Sequence, residues 1–225
     1  MNEKSKINRR DFLILAGGTI CMSMLPYNKV SASDWEQSGI KFIESTCGKD
    51  GNMPGRILIA YASRCGSTGE IAEAIGQTLC GTGVPTDVRL VKNVDVLSPY
   101  HAVILGSAVR AGKWLPEAVA FVKKHQDTLS RIPLAYFVVC MAMKDDTIEN
   151  RRRASAFLDP LYEAAPLVKP VDTGLFAGAT DFNKLSFINR SILKAKGIPE
   201  GDFRNWDAIR TWTVNVRPAL LGVTS

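Results

Sequence analysis

The feature that most constrains this chain is an alternation. Compact apolar runs that read as buried strands take turns with stretches whose apolar residues recur every three or four positions. Arg56 to Tyr61 is the first run, and Gly69 to Cys80 follows with a helical stripe at Ile71, Ala72, Ile75 and Leu79. Thr86 to Val91 alternates as a strand, Ala102 to Leu105 is a buried strand ending at Gly106, and Pro116 to Lys124 is a helix with proline in its first turn. Leu134 to Cys140 is strand-like, Thr147 to Ala164 is a basic amphipathic helix, Val171 to Phe176 is a fifth strand, and Trp206 to Val216 is the last helix. Strands separated by helices imply crossover connections, hence a parallel sheet covered on both faces. The expectation is an α/β three-layer sandwich with a five-stranded parallel sheet in order 2-1-3-4-5. In such a sheet ligands sit beyond the carboxyl ends of the strands.

The loop after the first strand is Ala62-Ser63-Arg64-Cys65-Gly66-Ser67-Thr68. It combines hydroxyls with a glycine and feeds a helix amino terminus, where unpaired N–H groups and the dipole attract an anion. A singly esterified phosphate fits such a nest without a lysine. The spacing excludes a nucleoside-triphosphate loop, which needs Gly-Lys-Ser/Thr, and a G-x-G-x-x-G fingerprint, since only Gly66 and Gly69 are present. The alternative is a helix cap by Ser67 or Thr68 with no ligand.

The amino terminus has a different character. Lys4, Lys6, Arg9 and Arg10 precede an apolar run from Phe12 to Leu25, and Val30-Ser31-Ala32 offers small residues for cleavage. The run has 14 residues, short of the roughly 20 that cross a bilayer. Residues 1–32 therefore read as an export signal, with an uncleaved anchor or a buried helix as alternatives. Asn8-Arg9-Arg10-Asp11-Phe12-Leu13 resembles a bacterial twin-arginine signal. That resemblance implies export of a protein already folded around its cofactor, to the periplasm or the outer face of the membrane. Without residues 1–32 the formal charge falls from +6 to +3, which gives no argument for nucleic acid. Cys47, Cys65, Cys80 and Cys140 then remain. They show neither CxxC spacing nor a histidine cluster, so no metal site is expected. An exported chain can form a disulfide, but spacing alone does not pair these four. Residues 33–54 read as a linker with a short helix around Ile40 to Ser45, and residues 55–225 as the folded domain.

The S-x-C-G-S-T run at Ser63 to Thr68 resembles the S/T-x-T-G-x-T phosphate loop of flavodoxins, which bind flavin mononucleotide (FMN). With "VILGSAVRAGKW" and "LFAGATDFNKLSFINRSILK", the chain resembles the menaquinone-dependent protoporphyrinogen IX dehydrogenase branch of that flavodoxin-like fold, over roughly Arg56 to Val216. The resemblance implies that Ser63, Arg64, Cys65, Gly66, Ser67 and Thr68 hold the phosphate. It implies that Gly106, Ser107, Ala108, Val109 and Arg110, following the third strand, run along the flavin ring, and that Cys140, Met141 and Ala142 lie at the same end. Trp114 reads as a core aromatic or a stacking partner, and Cys140 as a small buried apolar residue.

An insertion at about 179–204 separates the fifth strand from the last helix. Leu185, Phe187, Ile188 and Ile192 share a broad helical face among Lys184, Arg190, Lys194 and Lys196, which allows peripheral membrane contact through 182–197 or simple coverage of the domain. Arg110, Lys113, Lys144 and Arg151 to Arg153 are candidates to pair with substrate carboxylates, with a solvated helix face as the alternative for the arginine run. The implied function is an FMN-dependent oxidoreductase that carries electrons from a reduced organic substrate, a porphyrinogen in the branch resembled, to a quinone. No side chain stands out as a catalytic acid or base. The alternatives are an exported flavodoxin acting as an electron carrier, which the basic charge opposes, and a binding module without redox function.

Overall fold

The computed structural model describes residues 42–48, 55–184, 190–191, 194–195 and 197–223. The signal residues 1–32 and most of the apolar face of the insertion (Leu185, Phe187, Ile188 and Ile192) lie outside them. The elements run β1 (Ser45–Cys47), β2 (Arg56–Ala62), α1 (Ser67–Gly81), β3 (Thr86–Leu90), β4 (Tyr100–Arg110), β5 (Lys113–Trp114), α2 (Pro116–Lys124), α3 (Gln126–Leu129), β6 (Leu134–Val139), α4 (Ile148–Ala156), α5 (Asp159–Ala164), β7 (Asp172–Phe176), β8 (Ala179–Thr180), β9 (Gly201–Asp202) and α6 (Trp206–Leu220).

The five parallel strands lie in the order β3-β2-β4-β6-β7, which is the 2-1-3-4-5 arrangement expected. The sheet holds more than those five among the described residues. β1 pairs antiparallel outside β3, and β5 folds back as an antiparallel partner of β4. β8 and β9 form a separate two-stranded ribbon.

Pleating divides the core. Along β2, Ile57, Ile59 and Tyr61 enter one layer, and Leu58, Ala60 and Ala62 enter the other. The first layer takes Ile71, Ile75 and Leu79 of α1 with Ile209 and Val216 of α6. The second takes Ala118, Phe121 and Val122 of α2 with Ala154 of α4 and Leu161 of α5. Each aliphatic side chain fully buried this way contributes about 1.5–3 kcal/mol. A continuous apolar run is therefore what a strand covered on both faces requires.

Three expectations need correction. Ser45, expected at the end of a short helix in a linker, instead opens the strand Ser45–Cys47, and Cys47 is disulfide-bonded to Cys80 of α1 with the Cα atoms 6.1 Å apart. The third strand does not end at Gly106 but continues to Arg110. Gly106 to Ala108 still pair with Phe137 to Val139 of β6, and Val109 and Arg110 pair with β5. The helix expected over 147–164 is two, because Pro160 lacks the N–H that would continue the ladder and instead opens α5.

Candidate functional site

β2 delivers the chain to the carboxyl edge of the sheet at Ala62. Ser63 is buried there, and its hydroxyl accepts the Gly66 N–H at 3.0 Å. Gly66 has φ +88°, a left-handed conformation open to glycine at little cost, and it precedes α1 directly. Its carbonyl accepts the N–H groups of Gly69 and Glu70 at 2.8 and 3.2 Å. No side chain among the described residues caps α1, so the capping role considered for Ser67 or Thr68 is not taken. Thr68 is fully buried, and its Oγ1 has no hydrogen-bond partner among the described residues. A buried hydroxyl left unpaired costs about 1–3 kcal/mol. A turn that leaves such a donor at a helix amino terminus suits an anion with several acceptor oxygens.

Arg64 takes another part. Its guanidinium holds both carboxylate oxygens of Glu117, with Nη2 to Oε2 at 2.8 Å. Glu117 lies in the first turn of α2. The pair joins the loop after β2 to the helix that follows the β4–β5 hairpin. Cys65 and Ser67 are half-buried and line a cavity on the other side of the loop.

At the end of β4, Gly106 and Ser107 serve the sheet. A Cβ on Gly106 would stand 1.9 Å from the Phe137 ring, so close packing demands this glycine. Ser107 is fully buried; its hydroxyl accepts the Leu115 N–H at 3.0 Å and donates to the Ala108 carbonyl at 2.9 Å. Ala108, Val109 and Arg110 are half-buried and lead to the hairpin tip at Ala111 and Gly112, both with positive φ. Trp114 is a core aromatic, edge-on to Tyr136 at 5.3 Å.

After β6, Cys140 is buried, and burial pushes its thiol above the usual range. Met143 is packing too, whereas Met141 and Ala142 are half-buried. Thr180 of β8 donates to the Met141 sulfur at 3.7 Å. In α4, Arg151 to Arg153 are exposed, and Arg151 pairs with Asp146 at 2.5 Å, which matches a solvated face.

A second group of residues escaped the motif reading. Arg204, whose side chain is 8% exposed, reaches Glu70 of α1 at 2.5 Å and Asp202 of β9 at 2.6 Å. Its guanidinium stacks 4.5 Å over Trp206. The hydrogen bond from Arg204 holds the Asp202 carboxyl below the usual carboxylate range. Glu70 sits one turn from the phosphate-type loop, where a bare carboxylate would oppose an anion; Arg204 offsets it. Glu70, Asp202 and Arg204, with Asp181 and Glu200, line an open cavity of about 320 Å³ together with Cys65 and Ser67. Only the position of Glu70 in the first helical turn was a local signal.

The flavodoxin domain family matches residues 58–200 of this chain. The chain belongs to the flavodoxin domain family. The resemblance drawn from the hydroxyl-glycine loop is thereby shown. Among curated relatives, the chain is 29% identical over 145 residues to protoporphyrinogen IX dehydrogenase (quinone) of Leishmania major, covering 62% of this chain and 61% of that protein. It is 31% identical over 144 residues to the Escherichia coli K12 protein of the same name, covering 62% of this chain and 77% of that one. The chain thus spans about three fifths of the Leishmania relative's length. Among solved structures it resembles Flavodoxin 1 from Bacillus cereus, with TM-score 0.48 and 14% identity over 76% of this chain and 99% of that one.

Proposed function

We propose that this chain is an FMN-dependent oxidoreductase that takes electrons from a reduced organic substrate of the porphyrinogen class and passes them to a quinone. The observation that carries the cofactor reading is the buried, unpartnered Thr68 hydroxyl at the amino terminus of α1. The reaction class is supported by the names of the curated relatives, both quinone-linked protoporphyrinogen IX dehydrogenases.

In this reading Ser67, Thr68 and the first N–H groups of α1 hold the phosphate. Ser63 shapes the turn by accepting the Gly66 N–H rather than by donating to the ligand. Arg64 steadies the loop through Glu117 and leaves the phosphate to neutral donors. Ala108 to Arg110, with Met141 and Ala142, form the walls for the ring at the carboxyl edge. The flavin, when bound, supplies the redox chemistry, and the protein supplies binding, orientation and exclusion of water.

The Cys47–Cys80 disulfide supports action outside the reducing cytosol, in line with the signal read at residues 1–32. The basic insertion at 182–197 is proposed as the contact with an anionic membrane surface, where a lipid-soluble quinone is at hand. Co-sedimentation with anionic and neutral vesicles tests that contact.

The functional test uses the purified full-length chain. Its visible spectrum should show bound flavin. Anaerobic protoporphyrinogen should bleach that band, and a menaquinone analogue should restore it. A yellow protein inert to both reagents removes the substrate assignment, and a colourless one that takes up no added FMN removes the flavin reading altogether.

A further inference from the structure

We infer that the carboxylate-lined cavity beside the phosphate loop selects the flavin nucleotide by charge, admitting a terminal monophosphate and repelling a flavin extended by a second phosphate and a nucleoside, with Asp181 and Glu200 as the specificity-determining residues. The inference rests on the flavin reading above and extends it to residues outside the loop.

The left-handed Gly66 and the buried Thr68 hydroxyl locate one phosphate at the amino terminus of α1. Cys65 and Ser67 of the same loop form one wall of the adjoining cavity of about 320 Å³. A diphosphate needs space beyond its first phosphorus, and the cavity lined by Cys65 and Ser67 adjoins the loop directly. Its opposite wall is the base of the insertion. Four carboxylates line it, those of Glu70, Asp181, Glu200 and Asp202, against the single guanidinium of Arg204.

Arg204 is already committed to Glu70 and Asp202. Asp181 and Glu200 are not offset in this way. Asp181 accepts the Asn183 N–H at 2.9 Å and Glu200 accepts the Phe182 N–H at 3.0 Å, while the neighbouring cations Arg190 and Lys194 engage the Phe182 carbonyl and ring rather than either carboxylate. Neither carboxylate is bonded to a cation among the described residues, so both leave negative charge at the cavity wall, lessened but not cancelled by Arg190 and Lys194 beside Phe182. A first phosphate bound at the helix terminus has N–H and hydroxyl donors to meet it. A second phosphate would meet carboxylates, and like charges set close together raise the free energy of the complex. The cavity is roomy, so charge rather than size is the discriminating property.

The test is calorimetric titration of the full-length apoprotein with FMN, riboflavin and FAD at low and high salt. FMN should bind far more tightly than FAD at low salt, and high salt should narrow the gap, because exposed charges are screened within about 10 Å at 0.1 M. In the double variant D181N/E200Q each amide keeps an oxygen to accept the same N–H group, so the turn survives. There FAD should gain about tenfold while FMN changes little, and the salt effect should shrink. A gap that neither the variant nor salt moves overturns the inference while the flavin reading stands. FMN binding no tighter than riboflavin overturns the phosphate reading, and the inference with it.

Discussion

Arg64, in the turn after β2, grips both carboxylate oxygens of Glu117 at the start of α2, 53 residues along the chain. The loop after β2 and the first turn of α2 are thereby held at one spacing. Both side chains are 29% exposed, so the pair itself is worth only about 0.2–1 kcal/mol to folding. E117Q should leave the melting temperature nearly unchanged but weaken FMN several-fold, since the loop loses its tether, and leave riboflavin affinity unaltered. The charge-exchanged pair R64E/E117R should recover part of the loss. Fluorescence titration of the two flavins checks this, and equal losses for both would refute the tethering role.

Thr68→Val should push stability and binding in opposite directions. The substitution is nearly isosteric and removes a buried hydroxyl that has no partner among the described residues. The apoprotein should be stabilised by about 1 kcal/mol, as the desolvation cost of the hydroxyl disappears. FMN should bind about 10–100-fold more weakly, because a hydrogen bond to a charged group contributes about 1.5–3 kcal/mol. Chemical denaturation and flavin titration together decide it.

The disulfide carries a separate load. It joins residues 33 positions apart, and a closed loop of that length stabilises by about 3–4 kcal/mol on chain-entropy grounds. C47S should lower the denaturation midpoint accordingly. FMN affinity should change little, since Cys80 lies at the far end of α1 from the phosphate-type loop.

Alkaline stability should fall in a defined window. Burial, with Asp87 beside it, pushes the Tyr100 phenol up to about 12 from its ordinary value of 10.0. Burial also raises Tyr61 and Tyr136. A group whose folded pKa lies above its unfolded value stabilises fully below the unfolded value and loses that contribution as pH climbs to the folded one. The Tyr100 contribution should therefore hold up to about pH 10 and decline between there and pH 12. Tyr100→Phe should flatten part of that decline in melts followed by circular dichroism.

The central parallel strands were legible because they are buried on both faces and so read as unbroken apolar runs, as in Leu134 to Val139, whereas β3 showed itself by alternation. β1 was not, since Ser45, Thr46 and Cys47 are half-buried or exposed and carry no apolar pattern. What seats it is distant: Arg89 donates to the Ser45 carbonyl at 2.6 Å, and Cys47 is bonded to Cys80. The run from Gly106 to Arg110 looked like a loop because its residues are small, yet neighbouring strands pair with it to the end. The phosphate-type loop was legible because hydroxyls, glycine and a following helix are contiguous. Glu117 and Arg204 were hidden, since their partners stand 53 and 134 residues away. The FMN expectation for the loop comes from its resemblance to the flavodoxin phosphate loop; the residues around it are brought there by contacts no local window holds.

The bridge between Cys47 and Cys80 also gives each molecule a readable history. Under the proposed export, a chain that folds in a reducing cytosol would leave with β1 held by its pairing with β3 and by Arg89, and be fastened after arrival. Fastening removes a pair of hydrogens, so the intact mass of protein drawn from each compartment would report which side of the membrane it had reached.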